Sequence, residues 1–134
     1  TIGCSPLYEP DPDILARACE LARPTGAELT VVHDAGLAVA QADAVYADVW
    51  ASMGEEAERE MRAAALAPFE VTAELMALAK PHAVFLHCLP AKRDEEVSAE
   101  VIDGPRSVVW RESANRLPTE EALLVLLTGV EVPA

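Results

Sequence analysis

Ala44-Val-Tyr-Ala-Asp-Val49 is a short, mostly apolar run carrying a carboxylate near its end, and Ala83-Val-Phe-Leu-His87 is a second such apolar run, ending on a histidine. Each is the length of a strand and too short for an ordinary helix. Neither alternates strictly between apolar and polar residues, so both read as strands buried on both faces. Between them, Glu55 to Leu66 is Ala- and Glu-rich and helical in pattern. Thr72 caps a further helix that stops at Lys80-Pro81. Upstream, Ile2 to Cys4 reads as the end of a strand, Leu29 to Val32 as another, and Leu37 to Ala42 as a short helix. Asp11-Pro12-Asp13 starts a helix: a capping acid, proline at the first helical position, and a second acid near the positive helix end. Pro24 and Gly26 end it. Downstream, a short helix spans Asp94 to Ile102, Ser107-Val-Val-Trp110 reads as a fourth buried run, and Pro118 to Leu127 is a last helix closed by Gly129. Strands alternating with helices over short connections make a parallel α/β sheet with right-handed crossovers. Ligands of such sheets bind at the carboxyl ends of strands. The candidate places are therefore after Val49, after His87 and after Trp110.

Composition narrows the function. The chain has 134 residues, 51% of them hydrophobic, with 10 Lys+Arg against 23 Asp+Glu and a formal net charge of −13. That field repels polyanions, so nucleic acid and anionic membrane surfaces are excluded as partners. No apolar run approaches the ~20 residues of a membrane span, and no signal peptide is visible. The three cysteines (Cys4, Cys19 and Cys88) form no disulfide framework or zinc pattern, which points to a reducing cytoplasm. His33, His82, His87 and Cys88 lack metal-ligand spacing, so no metal is expected.

The chemistry collects at the strand ends. Asp48 sits where a buried carboxylate needs a partner. Ser52, Met53 and Gly54 precede a helix, where free N–H groups can hold a carboxylate. One acid and one N–H cluster suit the two charged groups of an amino acid. The plain alternative is a turn aspartate followed by a serine cap. His87 and Cys88 are adjacent on a strand and point to opposite faces, which argues against a Cys–His nucleophilic pair. Asn115-Arg116-Leu117 places a guanidinium between the fourth buried run and the last helix, suited to a planar or phosphate-like anion or to a structural ion pair. Asp34, Asp48 and Lys80 invite comparison with a receiver-like domain, which lacks support because no acidic pair ends the first strand.

Taken together, Leu7-Tyr-Glu-Pro-Asp-Pro12, Asp48-Val-Trp-Ala-Ser-Met-Gly54, His87-Cys-Leu-Pro90 and Asn115-Arg-Leu117 occur in the order and spacing of ornithine carbamoyltransferases. The chain resembles the ornithine-binding, carboxyl-terminal domain of that family over essentially its whole length. The resemblance implies a three-layer α/β/α, Rossmann-like parallel sheet. It implies that Asp48 holds the ornithine α-amino group while Ser52 and Met53 hold its carboxylate. Cys88 is then near the reacting δ-amine, with Asp48 and Cys88 the catalytic pair. Cys88, Leu89 and Arg116 contact carbamoyl phosphate, with His87 beside its carbonyl oxygen. The implied reaction transfers the carbamoyl group to the δ-amine of L-ornithine, giving L-citrulline and phosphate in arginine biosynthesis or catabolism, with no cofactor. Alternatives are a carbamoyltransferase for a modified amine such as N-acetylornithine, and a noncatalytic amino-acid-binding or assembly module.

The same resemblance marks departures. Ala114, Pro118 and Glu120-Glu121 replace an acid, a histidine and a Gln-Lys pair. The family's phosphate-loop and further substrate motifs are not in these residues. Residues 1–134 are therefore expected to be a partial ornithine-binding domain without the carbamoyl-phosphate domain, lacking the first strand and helix of its sheet, and inactive alone. A gap with unpaired edges should remain where an inner strand belongs. The last helix, apolar all round from Leu123 to Leu127, should lack a cover. Full length, the resemblance implies a homotrimer. The charge is uneven: residues 1–79 carry 4 basic and 14 acidic side chains, whereas residues 80–116 carry 6 of each. The balanced stretch is the one expected to meet the anion.

Overall fold

The computed structural model describes residues 1–51 and 58–129. Local signals set the first elements. Strand β1 (Ile2–Gly3) leads through a turn into helix α1 (Pro12–Ala22). The Asp11 side chain accepts from the N–H groups of Asp13 and Ile14, at 2.9 and 3.1 Å, capping donors that helical bonding leaves free. A short tight turn over Arg23–Thr25 ends at Gly26, whose φ of +72° is the left-handed geometry that glycine adopts without a Cβ clash. Asp11→Ala is expected to cost about 1 kcal/mol of stability, read as a lower urea midpoint by circular dichroism; an unchanged midpoint would show that the cap carries nothing.

Strand β2 (Val31–Val32) and helix α2 (Ala35–Val39) follow, α2 capped by Asp34, which accepts from Leu37 N–H at 2.8 Å. Strand β3 (Ala44–Ala47), helix α3 (Arg59–Leu66), helix α4 (Ala73–Ala77) and strand β4 (Val84–His87) complete the middle of the chain. Thr72 caps α4 as its residue type predicts, accepting from Leu75 N–H at 3.2 Å. Helix α5 (Ala99–Ile102) is shorter than the pattern from Asp94 suggests, because residues 93–97 form a turn with its own bridge instead.

The strands are all parallel, β1 with β2 and β3 with β4, as expected for an α/β sheet. Two corrections concern burial and the fourth run. β3 is not buried on both faces: Val45 is buried, but Ala44 and Tyr46 are exposed. Val45, Phe85 and His87 point into the core while Tyr46 and Leu86 share the opposite face, the period-2 alternation of a half-covered ladder. Ser107 to Trp110 is not a strand. Ser107 makes a single parallel bridge to Phe85, and the chain then turns into helix α6 (Val109–Ala114). Val109 is fully buried, and the Arg111-Glu112-Ser113-Ala114 sequence behind it favours helix over strand. Helix α7 (Arg116–Thr128) starts two residues before the expected Pro118 and ends at Gly129, again with positive φ.

The core gathers between the β3–β4 ladder and helices α4 and α5, with Phe85, Met76, Ile102, Val97 and Val109 fully enclosed. Around it the chain is open. Its accessible surface is 9225 Å², against ~6,800 Å² for a compact chain of this mass. Among the described residues no strand hydrogen bonds join β1 to β3. A cavity of about 230 Å³ separates them, lined by Gly3 on one side and Ala44 to Asp48 on the other. This is the gap expected for an inner strand. Helix α7 buries no residue, and Leu124, Leu126 and Leu127 are largely exposed, as an uncovered apolar helix requires.

Candidate functional site

The register of the second ladder builds the site. Ala47 pairs with His87, so the next residues, Asp48 and Cys88, leave neighbouring parallel strands at the same level and on the same face. Cys88 Sγ donates to Asp48 Oδ1 at 3.0 Å, and Val49 N–H donates to the same oxygen at 2.7 Å. Burial, and then the Asp48 carboxylate, push the Cys88 thiol up from its ordinary range. In this geometry the thiol is a donor, not a base.

His87 faces the other way, as adjacent strand residues must. Its side chain is wholly buried. Leu89 N–H donates to Nδ1 at 2.9 Å, which leaves the ring proton on Nε2. Nε2 lies 3.3 Å from Glu96 Oε1, at an angle short of a well-formed hydrogen bond. Glu96 Oε1 also accepts from Lys92 N–H at 2.6 Å, so a buried carboxylate ties both ends of the turn that follows β4. Leu89 sits in the left-handed region at φ +59°, a strained position for a branched side chain, and precedes a cis Pro90. The His87 ring and Glu96 thus hold Cys88 and Leu89 in place from behind.

A cavity of about 290 Å³ opens over this turn, lined by Tyr46, His87, Cys88, Leu89, Glu112, Ser113 and Arg116. Four of the residues singled out in the sequence, His87, Cys88, Leu89 and Arg116, therefore meet at one cavity, and Asp48 reaches it through the Cys88 thiol. Ser52 and Met53 lie outside the described residues. Sequence reasoning missed Tyr46, Glu112 and Ser113. Tyr46 stands two residues before Asp48 on one strand, hence on the same face, and Glu112 stands four before Arg116. Those spacings were the available signals. His82 is exposed and paired with Asp43, which also takes Lys80. No group of three or more His, Cys, Asp or Glu side chains that could hold a metal occurs among the described residues. No described helix is long and apolar enough to cross a membrane.

Comparison with known proteins shows the family. Residues 1–127 match the family described as aspartate/ornithine carbamoyltransferase, Asp/Orn binding domain. The chain is 51% identical over 128 residues to an ornithine carbamoyltransferase of Methanothermobacter thermautotrophicus, covering 96% of this chain and 42% of that protein. Among solved structures it superposes on the ornithine carbamoyltransferase of Pyrococcus furiosus with a TM-score of 0.85 at 46% identity, covering 92% of this chain and 40% of that one. An N-acetyl-L-ornithine transcarbamylase superposes with a TM-score of 0.78 at 32% identity, covering 92% and 38%. The chain thus spans about two fifths of the length of the relatives it matches.

Proposed function

From the premise that the chain belongs to the aspartate/ornithine carbamoyltransferase family, as its Asp/Orn-binding domain, we propose that it supplies the ornithine side of a carbamoyl transfer. The substrates are L-ornithine and carbamoyl phosphate, and the products L-citrulline and phosphate. The observation that carries this reading is the Asp48–Cys88 contact beside a cavity that also holds Arg116. Asp48 is an acceptor for a cationic amine, Arg116 a forked donor for an anion, and the Cys88 thiol lies between the two chemistries. Ser52 and Met53 take the amino-acid carboxylate, on the support of their place in the motif alone.

In the transfer, the δ-nitrogen lone pair forms the new C–N bond, phosphate leaves with the electron pair of the C–O bond, and the departing phosphate takes the one proton that the nitrogen loses. Cys88, Leu89 and Arg116 hold carbamoyl phosphate. His87, its ring buried, acts by carrying the Cys88–Leu89 turn toward the carbonyl oxygen. No cofactor enters. The carbamoyl-phosphate-binding domain is a partner supplied by the rest of the same enzyme, in a cytoplasmic homotrimer of the arginine pathway, and residues 1–134 form a partial ornithine-binding domain. The open cleft between β1 and β3 and the uncovered α7 support this incompleteness.

The chain alone is expected to form no citrulline from the two substrates, and to form it once combined with a carbamoyl-phosphate-binding domain. Colorimetric citrulline assay of the folded mixture decides. Product from Nα-acetyl-L-ornithine in place of L-ornithine would overturn the substrate assignment, and no product from either would overturn the enzyme reading in favour of a binding module.

A further inference from the structure

Glu112 connects three elements at the cavity and has no part in the reading above. It stands on α6. Its Oε1 accepts the Tyr46 hydroxyl proton at 2.8 Å, reaching β3, and its Oε2 accepts from His87 N–H at 3.1 Å, reaching the end of β4. These bonds fix a carboxylate on the wall of the cavity that Cys88 and Arg116 also line. Both of its oxygens are anchored, so the charge is held in place.

A fixed carboxylate near a thiol disfavours the thiolate by like-charge repulsion. Asp48 and Glu112 act on Cys88 in the same direction, Asp48 more strongly. The hydrogen bond to Glu112 pushes the Tyr46 phenol up to about 12. It therefore stays a neutral donor aimed at Glu112.

We propose that Glu112 is a positioning residue of this site: its carboxylate fixes the Tyr46 phenol at the cavity wall and, with Asp48, keeps Cys88 a hydrogen-bond donor rather than a thiolate. The chemical consequence rests on the carbamoyl-transfer reading. A thiolate beside an activated carbonyl carbon is itself a nucleophile and competes with the amine. A thiol held as donor does not compete, and it keeps Asp48 oriented.

The effect on Cys88 is measurable without substrate. The pH dependence of alkylation by iodoacetamide is read at the Cys88 peptide by mass spectrometry, in the 134-residue chain and its variants. The charged and titratable groups around the thiol are Asp48 and Tyr46 from β3 and the residue after it, Glu112 and Arg116 from α6 and α7, and the neighbouring His87. Glu112→Gln is expected to move the profile to lower pH and to raise alkylation at pH 8 roughly threefold. Tyr46→Phe, which leaves the carboxylate in place, is expected to move it much less. A folded Glu112→Gln chain with an unchanged profile would overturn the proposal. Should that variant not fold, the unmutated chain still decides, through titration of the Tyr46 phenol by carbon NMR. A midpoint near 12 supports the fixed contact, and one at the ordinary ~10 overturns it. Neither readout requires citrulline formation, so failure of the enzyme reading leaves this test intact.

Discussion

Phe85→Ala is expected to cost about 3–5 kcal/mol, most of the stability of the chain. Phe85 is 0% exposed in the middle of β4 and belongs to the one continuous core found among the described residues. Phe85 N–H donates to Arg106 O and its carbonyl accepts from Val108 N–H, both at 2.9 Å, so its strand also holds the start of α6. Truncating a buried phenylalanine costs about 3–5 kcal/mol, the lost transfer energy plus the cavity left behind. Domains of this size have only ~5–15 kcal/mol in total. A chain with 9225 Å² of accessible surface belongs at the low end of that range, because much apolar area stays in water. Urea denaturation followed by circular dichroism measures the loss. Leu124→Ala is the matched control: Leu124 is 62% exposed, and the change should move stability by no more than ~0.5 kcal/mol. Equal effects at the two positions would show that the packing described around β4 is not the core.

Asp48→Asn is expected to reduce L-ornithine binding by roughly tenfold to a hundredfold, the range of a charge-assisted hydrogen bond. Asparagine keeps the shape and one acceptor oxygen, so Cys88 retains a partner and the turn after β4 stays in place. What disappears is the negative charge at the end of β3 that a cationic amine needs. Asp43→Asn is the control. Asp43 lies at the other end of β3, exposed and already paired with Lys80 and His82, so its removal should leave binding unchanged. Calorimetric titration of the chain and both variants separates the possibilities. Equal losses would mean that only net charge matters, and no loss at Asp48 would remove it from the ornithine site.

Much of the site was legible because its parts are local. The Asp11-Pro12 cap, the Thr72 cap and the stops at Gly26 and Gly129 are short-range signals, and each appears where residue type put it. His87, Cys88 and Leu89 are consecutive, so locating one located all three. The misreadings come from contacts that cross the chain. Ser107 to Trp110 has β-branched strand composition, yet only one bridge forms before Val109 is drawn into the core and the chain coils. Tyr46 looked like part of a strand covered on both sides, and it is exposed because it stands on the face of β3 opposite the buried Val45. Glu112 gave only its spacing to Arg116 as a local sign, since its partners Tyr46 and His87 lie 66 and 25 positions away.

The net charge of −13, the alternation of strand and helix, the caps and the order of the motifs are properties of the sequence by itself, because each is read from residue types and their positions along the chain, whichever segments meet. They were enough to fix a parallel α/β fold, and the resemblance carried by the motifs grouped Asp48, His87, Cys88, Leu89 and Arg116 as a set. The register of β3 against β4 decided that Asp48 and Cys88 meet at one level, beside a cavity that His87, Cys88, Leu89 and Arg116 line. The tertiary structure also decided that the Cys88 thiol donates to Asp48, whose carboxylate with burial pushes it up from its ordinary range, and that a cleft separates β1 from β3. Burial, strand pairing and the field of distant charges depend on which segments meet, and no window of sequence contains that.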